Sequence, residues 1–191
     1  KADRDRLLYG NWLFTTSNKM AAYWNFDGDT HLVHNLREQS YDPMKPLILS
    51  FDFNVNPYMS CLPIQIDWEN KIVYVFPEYV GYPKDKRNNT PAFTRWIASQ
   101  LVADGHIGGV LLTGDPAGLS RSTQTEEGVN NFTIANKNIT NAVLKPKIQL
   151  LSKQPAMVTR LEFINELLHN FKGWKVYIDA RCHRLIEDFV Y

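Results

Sequence analysis

Two aspartates close apolar runs: Asp52 in Leu47-Ile-Leu-Ser-Phe-Asp-Phe53, and Asp115 in Gly109-Val-Leu-Leu-Thr-Gly-Asp-Pro-Ala-Gly118. A carboxylate in or just beyond a buried strand is costly to desolvate unless a cation or several donors compensate it. A pair of such sites suggests a shared metal ion. Each has a plainer reading: Asp52 capping a turn with Asn54 and Asn56, and Asp115 opening a turn between Gly114 and Pro116. Both plainer readings weaken if the two runs are neighbouring strands, because the carboxylates then converge at one end of a sheet.

Other residues of interest are secondary. Glu78, in Phe76-Pro-Glu-Tyr-Val80, ends a third apolar run and is either an auxiliary metal ligand or a solvated strand-end glutamate. Asp179, His183, Glu187 and Asp188 form a late acidic and imidazole group, with a plainer reading as a helix cap (Asp179) and a solvated helix face. The basic loop Lys84-Asp-Lys-Arg-Asn-Asn89 runs into a helix N-terminus, where phosphate is electrostatically favoured, so Lys84, Lys86 and Arg87 are candidate phosphate contacts. Arg121, in Ser120-Arg-Ser-Thr123, follows Asp115 closely enough to reach the same site. The five histidines show no zinc spacing and no pairing with a nucleophile, and no Walker-type phosphate loop is present.

The elements that would position these side chains can be read from periodicity. Leu47 to Phe53, Tyr58 to Ile66 and Lys71 to Phe76 read as three strands, with Asp67-Trp-Glu-Asn70 as a turn. Pro63 should push the second strand to an edge or a bulge. Thr90 and Pro91 suggest an N-cap and a first-turn proline, followed by the apolar stripe Phe93, Trp96, Ile97 and Leu101. Gly108 to Thr113 reads as a strand, about Gly128 to Val143 as a helix and Lys147 to Leu151 as a short strand. Val158, Leu161, Ile164, Leu168 and Phe171 mark a third helix ended by Gly173, before a strand over Trp174 to Ile178 and a helix from about Ala180. In the aromatic-rich first forty residues, Gly28-Asp29 separates two short runs that could pair as strands. The order β-β-β-α-β-α-β-α-β-α predicts an α/β fold of the ribonuclease-H-like kind: a three-stranded antiparallel meander joined to parallel strands, with helices on the sheet.

Composition sets the bounds. The 191 residues fit a single domain, with 1–45 as a leading segment packed on a ribonuclease-H-like core over 46–191. Lys plus Arg (21) balances Asp plus Glu (20), so a polyanion would have to be held by a local patch rather than by net charge. Cys61 and Cys182 match no zinc spacing and read as reduced, cytosolic thiols. No apolar run approaches a membrane span, and the start, Lys1-Ala-Asp-Arg-Asp-Arg-Leu-Leu, lacks a signal peptide's apolar core. It also lacks an initiating Met, as expected of a segment from a longer polypeptide.

The chain resembles the nuclease domain of the large terminase subunit of tailed bacteriophages. The matching stretches are Tyr9-Gly-Asn-Trp12 with Tyr23-Trp-Asn-Phe26, Ser50-Phe-Asp-Phe-Asn-Val-Asn-Pro57, Asn89-Thr-Pro-Ala-Phe93, Thr113-Gly-Asp-Pro-Ala-Gly118, and Ile178-Asp-Ala-Arg-Cys-His-Arg-Leu-Ile-Glu-Asp-Phe189. The resemblance implies an endonuclease that cuts concatemeric double-stranded DNA in the bacterial host cytoplasm during viral genome packaging. It implies an upstream ATPase motor domain, with the portal and the small terminase subunit as partners. Asp52 and Asp115 would then be the first two metal-binding acids of a two-ion Mg²⁺ or Mn²⁺ site. The family's third acid, in a short histidine-plus-aspartate motif, is expected beyond Tyr191, with Asp179, His183, Glu187 and Asp188 as the late candidate ligands within the chain, and Lys84, Lys86, Arg87 and Arg121 would contact the DNA. Two alternatives remain: another ribonuclease-H-like nuclease, such as a resolvase or transposase core, and a non-catalytic DNA-gripping or motor-docking domain of the same fold.

Overall fold

The structure, a computed structural model, describes residues 22–119 and 128–190. After a helical turn α1 (Gly28–His31), the short strand β1 (Leu32–Val33) and helix α2 (Leu36–Ser40) lead into the strands β2 (Leu47–Asp52), β3 (Met59–Asp67), β4 (Ile72–Val75) and β5 (Tyr79–Gly81). Helix α3 (Thr90–Ala103), strand β6 (Val110–Gly114), helix α4 (Asn131–Ile139) and strand β7 (Lys147–Ile148) follow. Helix α5 (Met157–Leu168), strand β8 (Lys175–Asp179) and helix α6 (His183–Val190) complete the described chain. One sheet contains every described strand, in the order β1-β8-β4-β3-β2-β6-β7, with β5 also paired to β3. The meander β2-β3-β4 is antiparallel; β2 with β6, β6 with β7, β4 with β8 and β1 with β8 are parallel.

Strand alternation divides the molecule into three layers. Leu47, Leu49 and Phe51 of β2 and Met59 and Cys61 of β3 face a core completed by Phe93, Ile97 and Leu101 of α3 and Phe132, Ala135 and Ile139 of α4. Full burial of each large apolar side chain here contributes about 1.5–3 kcal/mol. On the other face Val75, Val176 and Ile178 pack with Leu168 of α5 and Ile186 of α6. Both cysteines are buried and unpaired.

Three local expectations are corrected. Gly28-Asp29 does not separate two paired strands: the Asp27 carboxylate accepts from Asp29 N at 3.2 Å and from the Thr30 hydroxyl at 2.6 Å, which starts α1, and Leu32–Val33 pairs with β8 instead. The cap of α3 is Asn89, whose side chain accepts from Ala92 N at 3.0 Å, so Thr90 already lies inside the helix. The next helix is shorter than its periodicity implied. Asn130 and Thr133 form a reciprocal capping box at one end, and the extended backbone of Thr140 stops it at the other.

Pro63 is accommodated without moving β3 to an edge. It pairs across from Leu49 in the middle of the β2–β3 ladder, and its carbonyl accepts from Phe76 N at 2.9 Å on the opposite side. That opposite side is where β4, paired over Ile64 to Asp67, gives way to β5, paired over Met59 to Cys61. The missing N–H therefore falls where the outer ladder is already interrupted.

Candidate active site

Parallel pairing of β2 and β6 sets Phe51 opposite Gly114, so Asp52 and Asp115 follow at matching positions at the C-terminal ends of adjacent strands. Neighbouring strands are about 4.8 Å apart. A close approach here requires a residue without a side chain: Gly114 has φ 147°, and a Cβ on it would lie 2.1 Å from the Phe51 carbonyl oxygen. Ser50 and Asp52 alternate with the core residues Leu49 and Phe51, and so face the α5–α6 side of the sheet.

Both aspartates line one cavity of about 570 Å³, together with Ser50, Asn54 and Thr113 on the strand side and Gln154, Arg160 and Phe163 on the α5 side. Both are exposed. Neither carboxylate is therefore desolvated, contrary to the expectation from their apolar runs; their chemistry is that of hydrated carboxylates at the mouth of a cleft. Each is oriented by its own turn. Asp52 accepts from Asn54 N at 3.2 Å and from Asn54 Nδ2 at 3.0 Å, and Asp115 Oδ1 accepts from Ala117 N at 2.8 Å. The turns proposed as the plainer reading are thus present, and they hold the carboxylates at the cavity rather than withdrawing them from it.

Asp188, on α6, comes near enough to Asp52 for the two charges to repel. Its pKa is raised by the surrounding protein first, then by Glu187 and Asp52, against the opposing pull of Arg184. Hard oxygen donors with open positions suit Mg²⁺ or Mn²⁺, which commonly bind through one or two carboxylates plus water and substrate phosphate. Asp52 and Asp115 fit that pattern. Among the described residues, no three His, Cys, Asp or Glu side chains converge on one metal position.

The remaining candidates lie elsewhere. Glu78 is not at the cavity: it accepts from Arg184 N at 2.7 Å and Leu185 N at 3.2 Å, capping the start of α6. Burial raises its pKa, against the lowering effect of those two amides. Asp179 is fully buried at the end of β8, three strand spacings, or about 14 Å, from β2. It does not simply cap the last helix. Its carboxylate accepts from Arg181 Nε at 2.8 Å, Arg181 Nη2 at 2.9 Å, Arg181 N at 3.0 Å and Arg37 N at 3.2 Å. Burial pushes its pKa up, but the Arg181 side chain and the two amides outweigh this and hold it low.

Lys84 and Lys86 are exposed on the loop after β5, whereas Arg87 lies with its guanidinium 4.4 Å from the centre of the Trp96 ring. None of the three lines the cavity. The loop nevertheless leaves the sheet at the Asp52 end, since Asp52 pairs with Ser60 and Ser60 with Val80. Arg121 lies outside the described residues.

Sequence reasoning missed the α5 wall. Arg160 and Phe163 are one turn apart, and Phe163 falls outside the apolar stripe of Leu161, Ile164 and Leu168, of which Leu168 is buried and the other two are partly so. An aromatic residue off the apolar face of an amphipathic helix was the available signal.

No protein-family model and no curated protein sequence matches the chain. Among solved structures, the large terminase from a thermophilic bacteriophage superimposes with a TM-score of 0.58 at 14% identity, covering 88% of this chain. Its ADP complex gives 0.56 at 15% identity over the same share. The chain spans 36% of the length of that terminase. The fold is the expected one, a ribonuclease-H-like mixed α/β sheet flanked by helices. Among the described residues, no helix is long and apolar enough to cross a membrane.

Proposed function

We propose that a chain of this fold, with two aspartates at the ends of paired parallel strands, is the metal-dependent endonuclease domain of a viral DNA-packaging terminase large subunit, cutting concatemeric double-stranded DNA. The observation that carries this reading is that Asp52 and Asp115 share one cavity at the C-terminal edge of the sheet. Asp52 would hold two Mg²⁺ or Mn²⁺ ions in common and Asp115 one of them. Such ions, when bound, activate an attacking water and stabilise the leaving 3′ oxygen of an in-line displacement. The chain's own residues do the positioning. Asn54 holds both oxygens of Asp52, and Ala117 N holds one oxygen of Asp115.

By the same reading the domain acts in the bacterial host cytoplasm, on the same polypeptide as an upstream ATPase motor, with the portal and the small terminase subunit as partners. A second reading, a DNA-gripping or motor-docking domain without catalysis, draws support from the lack of a three-residue metal cluster among the described residues. Plasmid nicking in Mn²⁺ separates the two. Asp52→Asn and Asp115→Asn should each abolish it, and nicking retained in either variant would count against the endonuclease.

A further inference from the structure

The cavity that holds Asp52 and Asp115 has a second wall that the proposed chemistry leaves unused. That wall is the face of α5 carrying Arg160 and Phe163. The Arg160 side chain forms no ion pair or hydrogen bond with another described residue. Phe163 is 59% exposed, although its neighbours Ile164 and Leu168 pack into the core. The helix is firmly placed. Buried Asn165 donates to Ala22 O and Leu161 O at 2.9 Å each and accepts from Asn25 N at 3.1 Å, fixing the opposite side of α5. Arg160 and Phe163 are therefore held out toward the cavity by an anchored helix, and the packing of the described residues does not use them.

Two walls of opposite sign face each other across one cleft. Carboxylates on the sheet side suit cations, whereas a guanidinium suits a phosphate oxygen by charge-assisted hydrogen bonding. An aromatic face beside the guanidinium suits a base, and a base presents its face only where it has left the stack. We infer that Arg160 and Phe163 form a strand-gripping wall, Arg160 taking a backbone phosphate and Phe163 stacking on a base displaced from the duplex beside the cut. This inference rests on the nuclease reading and narrows its substrate to a strand that is locally unpaired at the site.

The test measures binding rather than cutting, with the whole chain, EDTA present, and fluorescent oligonucleotides of one sequence as single strand and as duplex. Both side chains are exposed, and melting curves for each variant verify the fold. Arg160→Gln should weaken binding of both forms roughly fivefold and reduce the salt dependence by about one counterion. Phe163→Ala should weaken the single strand at least about fivefold, consistent with the loss of one stacking contact, and should barely affect the duplex, while Phe163→Trp restores affinity. Unchanged single-strand affinity in either Arg160→Gln or Phe163→Ala overturns the inference, as does an equal loss on both DNA forms for Phe163→Ala. Because no hydrolysis is read, failure of this test is distinguishable from failure of the Asp52→Asn nicking assay, which would remove the nuclease reading on which the inference rests.

Discussion

The Glu78 carboxylate accepts the Arg184 amide at 2.7 Å, so the segment between β4 and β5 caps the helix that carries Asp188. Replacing Glu78 with Ala should cost roughly 1–2 kcal/mol, the usual range for a lost helix cap. The pH dependence has a definite sign. Burial raises the Glu78 pKa above 4.5 in the folded chain, so the stability linked to its protonated form is complete below about pH 4.5 and is lost as the pH rises through the folded value. Urea melts of the native chain and Glu78→Gln should accordingly show the variant gaining relative stability as the pH rises above that point.

Asp179 has the opposite sign. Arg181 and two amides hold its pKa below 3.8 despite burial, so its contribution is complete above that value and lost as the pH falls through the lowered one. Asp179→Asn should destabilise the chain by about 2 kcal/mol near neutrality, because it leaves donors around a buried site without their charged acceptor. The gap between native and variant should close in acid, as read from melts at successive pH values.

Gly114→Ala should be among the most damaging single changes near the cavity. Its Cβ would meet the Phe51 carbonyl oxygen at 2.1 Å with φ at 147°. A loss of roughly 2 to 4 kcal/mol is expected, together with loss of nicking, because the β2–β6 register that aligns Asp52 with Asp115 must shift. Denaturant melts and the plasmid assay measure the two effects separately.

Metal binding can be followed without any DNA. Mn²⁺ should raise the melting temperature of the native chain, by an amount equivalent to about 2.7 kcal/mol at a hundredfold excess over the dissociation constant. Asp52→Asn should abolish that shift, as measured by a calorimetric or fluorescence melt with and without the ion.

The strand runs and their order were legible because one face of each strand meets a core, which imposes period-two alternation. The placing of Asp52 and Asp115 at strand ends was legible because a carboxylate interrupts an apolar run abruptly, although their exposure shows that the signal marks a strand end and not a buried charge. The partners of Glu78 and Asp179 were not legible, because Arg184 N and Arg37 N lie 106 and 142 positions away. Pro63 was read for its local prohibition, whereas the interruption that accommodates it depends on where β4 ends and β5 begins. Arg160 and Phe163 escaped because a helix wheel identifies the face that packs and says nothing of what the other face looks across to.

Asn25 bonds to Asn165 across 140 positions, and among the described residues β1 finds its only ladder in β8. Closing so long a loop is entropically slow, and distant pairings of this kind delay folding more than they change final stability. On the ribosome, the half containing β2, β3 and β6 can condense early, while the flank of β1 and β4 waits for β8 to be synthesised. Until then, among the described residues, the edges of β1 and β4 lack their ladder in β8, which exposes this flank to pairing with a neighbouring chain during synthesis.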